Sequence, residues 1–210
     1  MVHSTVRKYV MVRGQFIEWE DFKTENVWAQ TADVSDLPDN CVSIYYSVDM
    51  ERHIIKERLC MVTYSPKYQP DFKKISVAWV SEYFSVEPAD LFQLDNPEDS
   101  IIKPGGEIFC LINSQGTAVG TVAMIVEADG DAELGKMGVL KDYNGKGYAH
   151  PLMHEAILWA KRKHFPAVNL HTARKLTPAV TLYQKYGFKE IPFRGHSHFT
   201  RVDLVMQLKL

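Results

Sequence analysis

AELGKMGVLKDYNGKGYA, residues Ala132 to Ala149, is the stretch whose reading decides the fold. Its first half has strand character, its second half is turn-rich, and an apolar stripe at helical spacing follows directly. The segment Asn144-Gly145-Lys146-Gly147-Tyr148-Ala149 therefore stands between a strand and a helix start. Glycines there let the backbone approach a ligand closely. The first N–H groups of a new helix, aided by its dipole, attract phosphate oxygens. The turn reads either as an anion cradle or as a tight strand-to-helix connection, and a Gly-x-Gly pattern alone leaves both open.

Downstream, Ala149, Leu152, Met153, Ala156, Ile157 and Ala160 recur at i, i+3, i+4, i+7, i+8 and i+11, which predicts a helix with one core face. Pro151 falls in its first turn and predicts a loosened one. Pro166 ends the helix, and Ala167 to Thr172 reads as a strand. Thr177-Pro178 is an N-cap followed by proline at the first position of a short helix. Gly187 occupies the left-handed C′ position of that helix, with Phe188 as its hydrophobic partner, and Arg201 to Leu210 alternates as a closing strand.

Upstream, Leu59 to Tyr64 reads as a strand and Pro70 opens a helix to about Phe84; Glu87 to Leu94 is a second, short helix. Ile108 to Asn113 and Ala118 to Glu127 are β-rich runs joined by four residues containing Gly116, a hairpin that Ala132 to Leu140 continues as a meander. Residues 1 to 57 read separately, as a small β-rich extension with strand candidates at Val6 to Trp19 and Cys41 to Val48. A short helix is expected over Asp49 to Arg58.

Composition sets limits. Hydrophobic residues at 46%, charged residues at 24% and a formal charge of −2 describe a globular chain without the basic footprint of a nucleic-acid partner. Three cysteines without metal-type spacing predict free thiols in a reducing compartment. No apolar run approaches the roughly eighteen residues of a membrane span, and the N-terminus lacks the apolar core of a secretory signal. A cytoplasmic protein with no membrane partner is expected. His196-Ser197-His198 has no acidic or cysteine partner nearby and predicts a loop, with no metal expected.

The order strand, two helices, three antiparallel strands, helix, strand, helix, two strands resembles the GCN5-related N-acetyltransferase (GNAT) superfamily over residues 58 to 210. Two motifs carry the resemblance: the turn Asn144 to Ala149, and Ala179-Val180-Thr181-Leu182-Tyr183-Gln184-Lys185-Tyr186-Gly187-Phe188. The resemblance implies an α+β fold with a mixed, mostly antiparallel central sheet flanked by helices. It also implies acetyl-CoA-dependent transfer of an acetyl group to a primary amine, directly, in a ternary complex. The pyrophosphate would lie on Asn144, Gly145, Lys146, Gly147, Tyr148 and Ala149, and the pantetheine amides would pair with the main chain of Met137, Gly138 and Val139. Glu133 matches the position of a carboxylate general base, and Tyr183 that of the phenol serving the departing thiolate. Asn144 replaces a usual Gln or Arg, and Leu176 a usual Asn. Trp79, Glu82, Tyr83, His171 and Phe193 to Phe199 match the acceptor wall, its acceptor being an amine-bearing small molecule or a peptide or protein; a homodimer is left open. The alternative is a non-catalytic acyl-CoA-binding or scaffold protein on the same fold.

Overall fold

The computed structural model describes residues 6–12, 15–26, 28–29, 37–127, 130–192 and 199–210. Among these residues ten strands form one sheet in the order β2-β1-β3-β4-β5-β6-β7-β8-β10-β9. The strands are β1 (Arg7–Val12), β2 (Gln15–Glu18), β3 (Cys41–Asp49), β4 (Ile54–Thr63), β5 (Glu107–Ile112), β6 (Ala118–Val126), β7 (Ala132–Val139), β8 (Ala167–Thr172), β9 (Lys189–Ile191) and β10 (Leu204–Lys209). Among the described residues five α-helices accompany them: α1 (Trp19–Glu25), α2 (Gln69–Tyr83), α3 (Pro88–Asp95), α4 (Ala149–Arg162) and α5 (Thr177–Lys185). The pairs are antiparallel except β1 with β3 and β7 with β8.

The strand alternation explains the two cores. Phe109 and Leu111 of β5 face one cluster, which Leu152, Met153, Ala156 and Ala160 of α4 complete. Ile108, Cys110 and Ile112 face the other, with Phe72 and Ile75 of α2 and Trp19 and Phe22 of α1. A sheet covered on both faces needs near-continuous apolar strands, which is how β5 and β6 read. Cys110 is wholly buried, and burial pushes its thiol up to about 12, as befits a small core residue. All three cysteines are free and buried. Among the described residues no helix is long and apolar enough to cross a membrane.

Three expectations are corrected. Residues 49 to 58 form no helix: β3 and β4 meet there as a hairpin, where Asp49 Oδ1 accepts the N–H groups of Glu51 (3.1 Å) and Arg52 (3.0 Å) and His53 turns the chain at φ 53°. The boundary placed between residues 57 and 58 falls inside β4, and β1 to β3 extend the same sheet. Pro151 loosens nothing. It lies in the first turn of α4, where N–H groups have no helical partner to lose, and His150 N–H still reaches Gly147 O at 3.0 Å.

The N-terminal strands hold α4 through a buried acid. Glu155 lies on the core side of α4, wholly buried, and accepts bonds from Arg7 (2.6 Å), Ser43 Oγ (2.7 Å), Tyr45 OH (3.2 Å) and Arg162 (3.1 Å). Removing the centre of such a cluster strands several buried polar groups, whereas Arg162 is a largely solvated partner with its side chain 45% exposed. We expect Glu155→Ala to destabilise the fold by about 3–5 kcal/mol and Arg162→Ala by under about 1 kcal/mol, read as the difference in urea unfolding free energy.

Candidate active site

β7 and β8 are in register only at Ala132 with Val168 and Glu133 with Asn169. Beyond that point the two strands diverge. The divergence coincides with a bulge in β7: Lys136 sits at φ 49° and the β6–β7 register slips between Thr121 and Ala123. A cavity of about 660 Å³ opens there, walled by β7, β8, α2, α3, the start of α5 and residues 199 to 202. Glu133, Met137, Gly138, Val139, Asn144, Gly145 and Tyr183 all line it, so both catalytic candidates and the upper half of the cofactor set share one space. Trp79, Glu82, Tyr83, His171 and Phe199 line it as well, while residues 193 to 198, with His196 and His198, lie outside the described residues.

Lys146, Gly147, Tyr148 and Ala149 do not line this cavity; they form the turn running from its mouth to α4. Gly145 and Gly147 hold φ 75° and 82°, conformations that a side chain would strain, and a Cβ on Gly145 would meet nothing within 4 Å. The N–H groups of residues 145 to 149 donate to no backbone carbonyl outside helices among the described residues. N–H groups without such a partner, at a helix start beside an open glycine, fit a phosphate group. Tyr148 contributes here only by its main chain. Its ring is buried, stacked on Tyr143 at 5.7 Å, and its hydroxyl bonds the Glu57 carboxylate.

Glu133 Oε2 meets His171 Nδ1 across the two strands at 2.9 Å. That bond holds the His171 proton and raises its pKa above the ordinary 6.5, with burial opposing. Tyr183 is buried on α5, and burial raises its phenol to about 12. The helix bearing it starts one residue earlier than a Thr177 cap would allow, with Leu176 as N-cap facing the cavity. Its end follows the expected geometry: Gly187 has φ 90° and Phe188 N–H reaches Tyr183 O at 3.1 Å.

A cluster that the sequence did not announce lies at the bulge. Lys136 Nζ bonds Asp90 at 2.8 Å, and Arg201 grips the same carboxylate at 2.8 and 2.7 Å and Glu87 at 3.1 Å. Burial raises the Asp90 carboxyl, but its bonds to Arg201 and Lys136 outweigh that and leave it below 3.8. The closing strand accordingly begins at Leu204, since Arg201 is engaged at the cavity wall.

An acetyltransferase (GNAT) family model matches residues 72–188, more than half of the chain. The chain belongs to the GNAT acetyltransferase family. Streptothricin acetyltransferase A of Bacillus subtilis is 28% identical over 119 residues, 57% of this chain and 69% of that protein. N-acetylaspartate synthetase of Xenopus tropicalis is 33% identical over 100 residues, 47% of this chain and 37% of that one. The chain thus spans little more than a third of that relative. Among solved structures, a GNAT acetyltransferase of Staphylococcus aureus superposes with a TM-score of 0.65 at 20% identity, covering 72% of this chain and 98% of that one. Spermidine N-acetyltransferase of Vibrio cholerae, in complex with CoA and spermine, gives 0.55 at 19% identity over 72% and 95%. At such identities the superpositions speak for the fold: a mixed sheet flanked by helices, and membership makes the chain an acetyltransferase enzyme.

The Glu133–His171 pair has a pH signature. Because the folded pKa of His171 lies above its unfolded value, its stabilisation is fully present below the ordinary 6.5 and is lost as pH rises through the raised value. His171→Gln is therefore expected to lower stability more at about pH 5.5 than at about pH 9, measured by urea unfolding of both proteins at both values.

Proposed function

We propose that this enzyme moves an acetyl group from acetyl-CoA to a primary amine by direct attack in a ternary complex. The observation that carries the reading is that Glu133 and Tyr183 border one cavity at the point where β7 bulges away from β8. In this reading the turn N–H groups from Gly145 to Ala149 bind the pyrophosphate, with Asn144 and Lys146 exposed beside them. The main chain of Met137, Gly138 and Val139 pairs with the pantetheine amides as an added strand would. Donors near Val139 stabilise the thioester oxygen as it gains charge.

Glu133, with His171 against it, takes the proton that the attacking amine must lose. Tyr183 acts on the departing sulfur. Burial pushes its phenol up to about 12, which favours the protonated form, so Tyr183 serves that sulfur as a hydrogen-bond donor. The named relatives act, by their names, on streptothricin and spermidine or make N-acetylaspartate, which supports a small amine-bearing molecule as the acceptor class, with a peptide or protein amine also within reach.

Two measurements test this. Acetyl-CoA and CoA at about one hundred times their Kd are expected to stabilise the protein by about 2.7 kcal/mol in thermal unfolding, with ATP and NAD giving no comparable shift. Stabilisation by none of them would remove the acetyl-CoA reading. Tyr183→Phe and Glu133→Gln are each expected to lower kcat about 10²-fold in an acetyl-transfer assay over a panel of amines, with CoA affinity retained. Transfer at the wild-type rate by both variants would overturn the roles given to them.

A further inference from the structure

Four buried side-chain atoms among the described residues have no hydrogen-bond partner, Tyr46 OH having other interactions, and two of the four belong to cavity-lining residues of α2 and α3: Trp79 Nε1 and Gln93 Oε1. Both residues line the cavity. A buried donor or acceptor left unmade costs about 1–3 kcal/mol, so an orphan atom on a residue of the cavity wall points to a partner supplied there. One orphan is a donor only and the other an acceptor only.

Trp79 lies directly over the bulged strand. A Cβ added to Gly138 would stand 2.5 Å from Trp79 Cδ1 and 3.1 Å from Nε1, so the absence of a side chain at 138 is what lets the indole lie against the β7 backbone. Gln93 comes from α3, whose Asp90 is tied to Lys136 at the bulge, so the wall bearing the amide is held against the same strand.

We propose that Trp79 and Gln93 are a donor–acceptor pair for the two reacting groups: Trp79 Nε1–H for the thioester carbonyl oxygen and Gln93 Oε1 for the attacking amine. This rests on the acetyl-transfer reading and adds two residues to it. In the reaction the amine nitrogen forms a bond to the acyl carbon while the carbonyl electron pair moves onto oxygen. Return of that pair breaks the carbon–sulfur bond, CoA leaves as the thiolate, and the amine proton passes to Glu133. The oxygen therefore becomes a stronger acceptor and the nitrogen a stronger donor at the same moment. An indole N–H meets the first demand and an amide oxygen the second. The main-chain donors of β7 and the indole would then hold the oxygen from two directions.

The test uses the full chain. Acetyl-CoA must first stabilise the wild type; if it does not, the acetyl-transfer reading and this proposal fall together. Given that, Trp79→Phe, which keeps the ring and deletes the donor, is expected to lower kcat at least tenfold with the Kd for CoA within about twofold of wild type, since CoA has no acyl carbonyl. The thioester carbonyl stretch of bound acetyl-CoA is expected to rise in frequency in the same variant, a readout independent of the acceptor. Gln93→Leu is expected to raise KM for the amine about tenfold, and Gln93→Glu, which keeps an acceptor oxygen, to restore it. An unchanged carbonyl stretch and kcat in Trp79→Phe, or an unchanged amine KM in Gln93→Leu, would overturn the pairing while leaving acetyl transfer itself standing.

Discussion

The buried ion pair between Lys136 and Asp90 is the interaction on which the site depends. Lys136 is held at φ 49°, a left-handed conformation that costs a residue with a side chain about 1–2 kcal/mol. The pair, shared with Arg201, anchors the side chain of that strained residue, and removing one partner would leave an uncompensated buried charge at a cost of about 3–5 kcal/mol. Burial pushes the Lys136 ammonium down from its ordinary 10.5, and Asp90 opposes that push. The result is a kink fixed in one strand. Because β7 kinks, it leaves β8 after Glu133, and the opening between them is the cavity. The same carboxylate that fixes the kink belongs to α3, so the wall facing the opening is registered to the strand by one group.

The second half of the site is braced from the opposite face. α4 begins at the glycine turn, and its orientation sets where the turn's N–H groups point. Glu155 ties that helix to β1 and β3 through Arg7, Ser43 and Tyr45. Glu57 of β4 holds Tyr148, the residue before the helix, and a Cβ on Gly147 would come within 3.9 Å of the Met11 side chain of β1. The aromatic rings of Tyr9, Phe16 and Tyr45 pack around His154 of the same helix, at centroid separations of 4.8, 4.3 and 5.8 Å. The N-terminal strands therefore brace the glycine-turn end of the site without lining the cavity.

Legibility in the sequence followed locality. The α4 stripe, the Gly187-Phe188 stop and the β5–β6 hairpin depend on neighbours within a few residues, and they could be read. The β3–β4 hairpin could not. Its turn places a left-handed His53 where no glycine signals it, and the alternating charges of residues 51 to 58 imitate a solvated helix. Glu155 was invisible for another reason: it sits inside an amphipathic pattern that assigns glutamate to solvent, and strands more than a hundred residues away supply its buried partners. The motif residues of the site were legible because they recur on one strand, one turn and one helix. Asp90, Lys136 and Arg201 come from three separated segments and form a cluster only in the fold.

The chemistry of the cavity then follows from which groups can only give hydrogen bonds and which can only take them. Tyr183 at about 12 remains a donor throughout the working range, and the Trp79 N–H can be nothing else. Glu133 is an acceptor whenever it is ionised, and the His171 ring, its pKa raised by their bond, stands 2.9 Å from it. Aminolysis of a thioester moves negative charge toward oxygen and sulfur and positive charge toward nitrogen. In the proposed reaction, donors set along β7, α2 and α5 and a carboxylate at the β7–β8 junction stabilise that charge separation with groups already in place. Their ordering is done by the fold, through the bulge and the two buried clusters, before any substrate arrives.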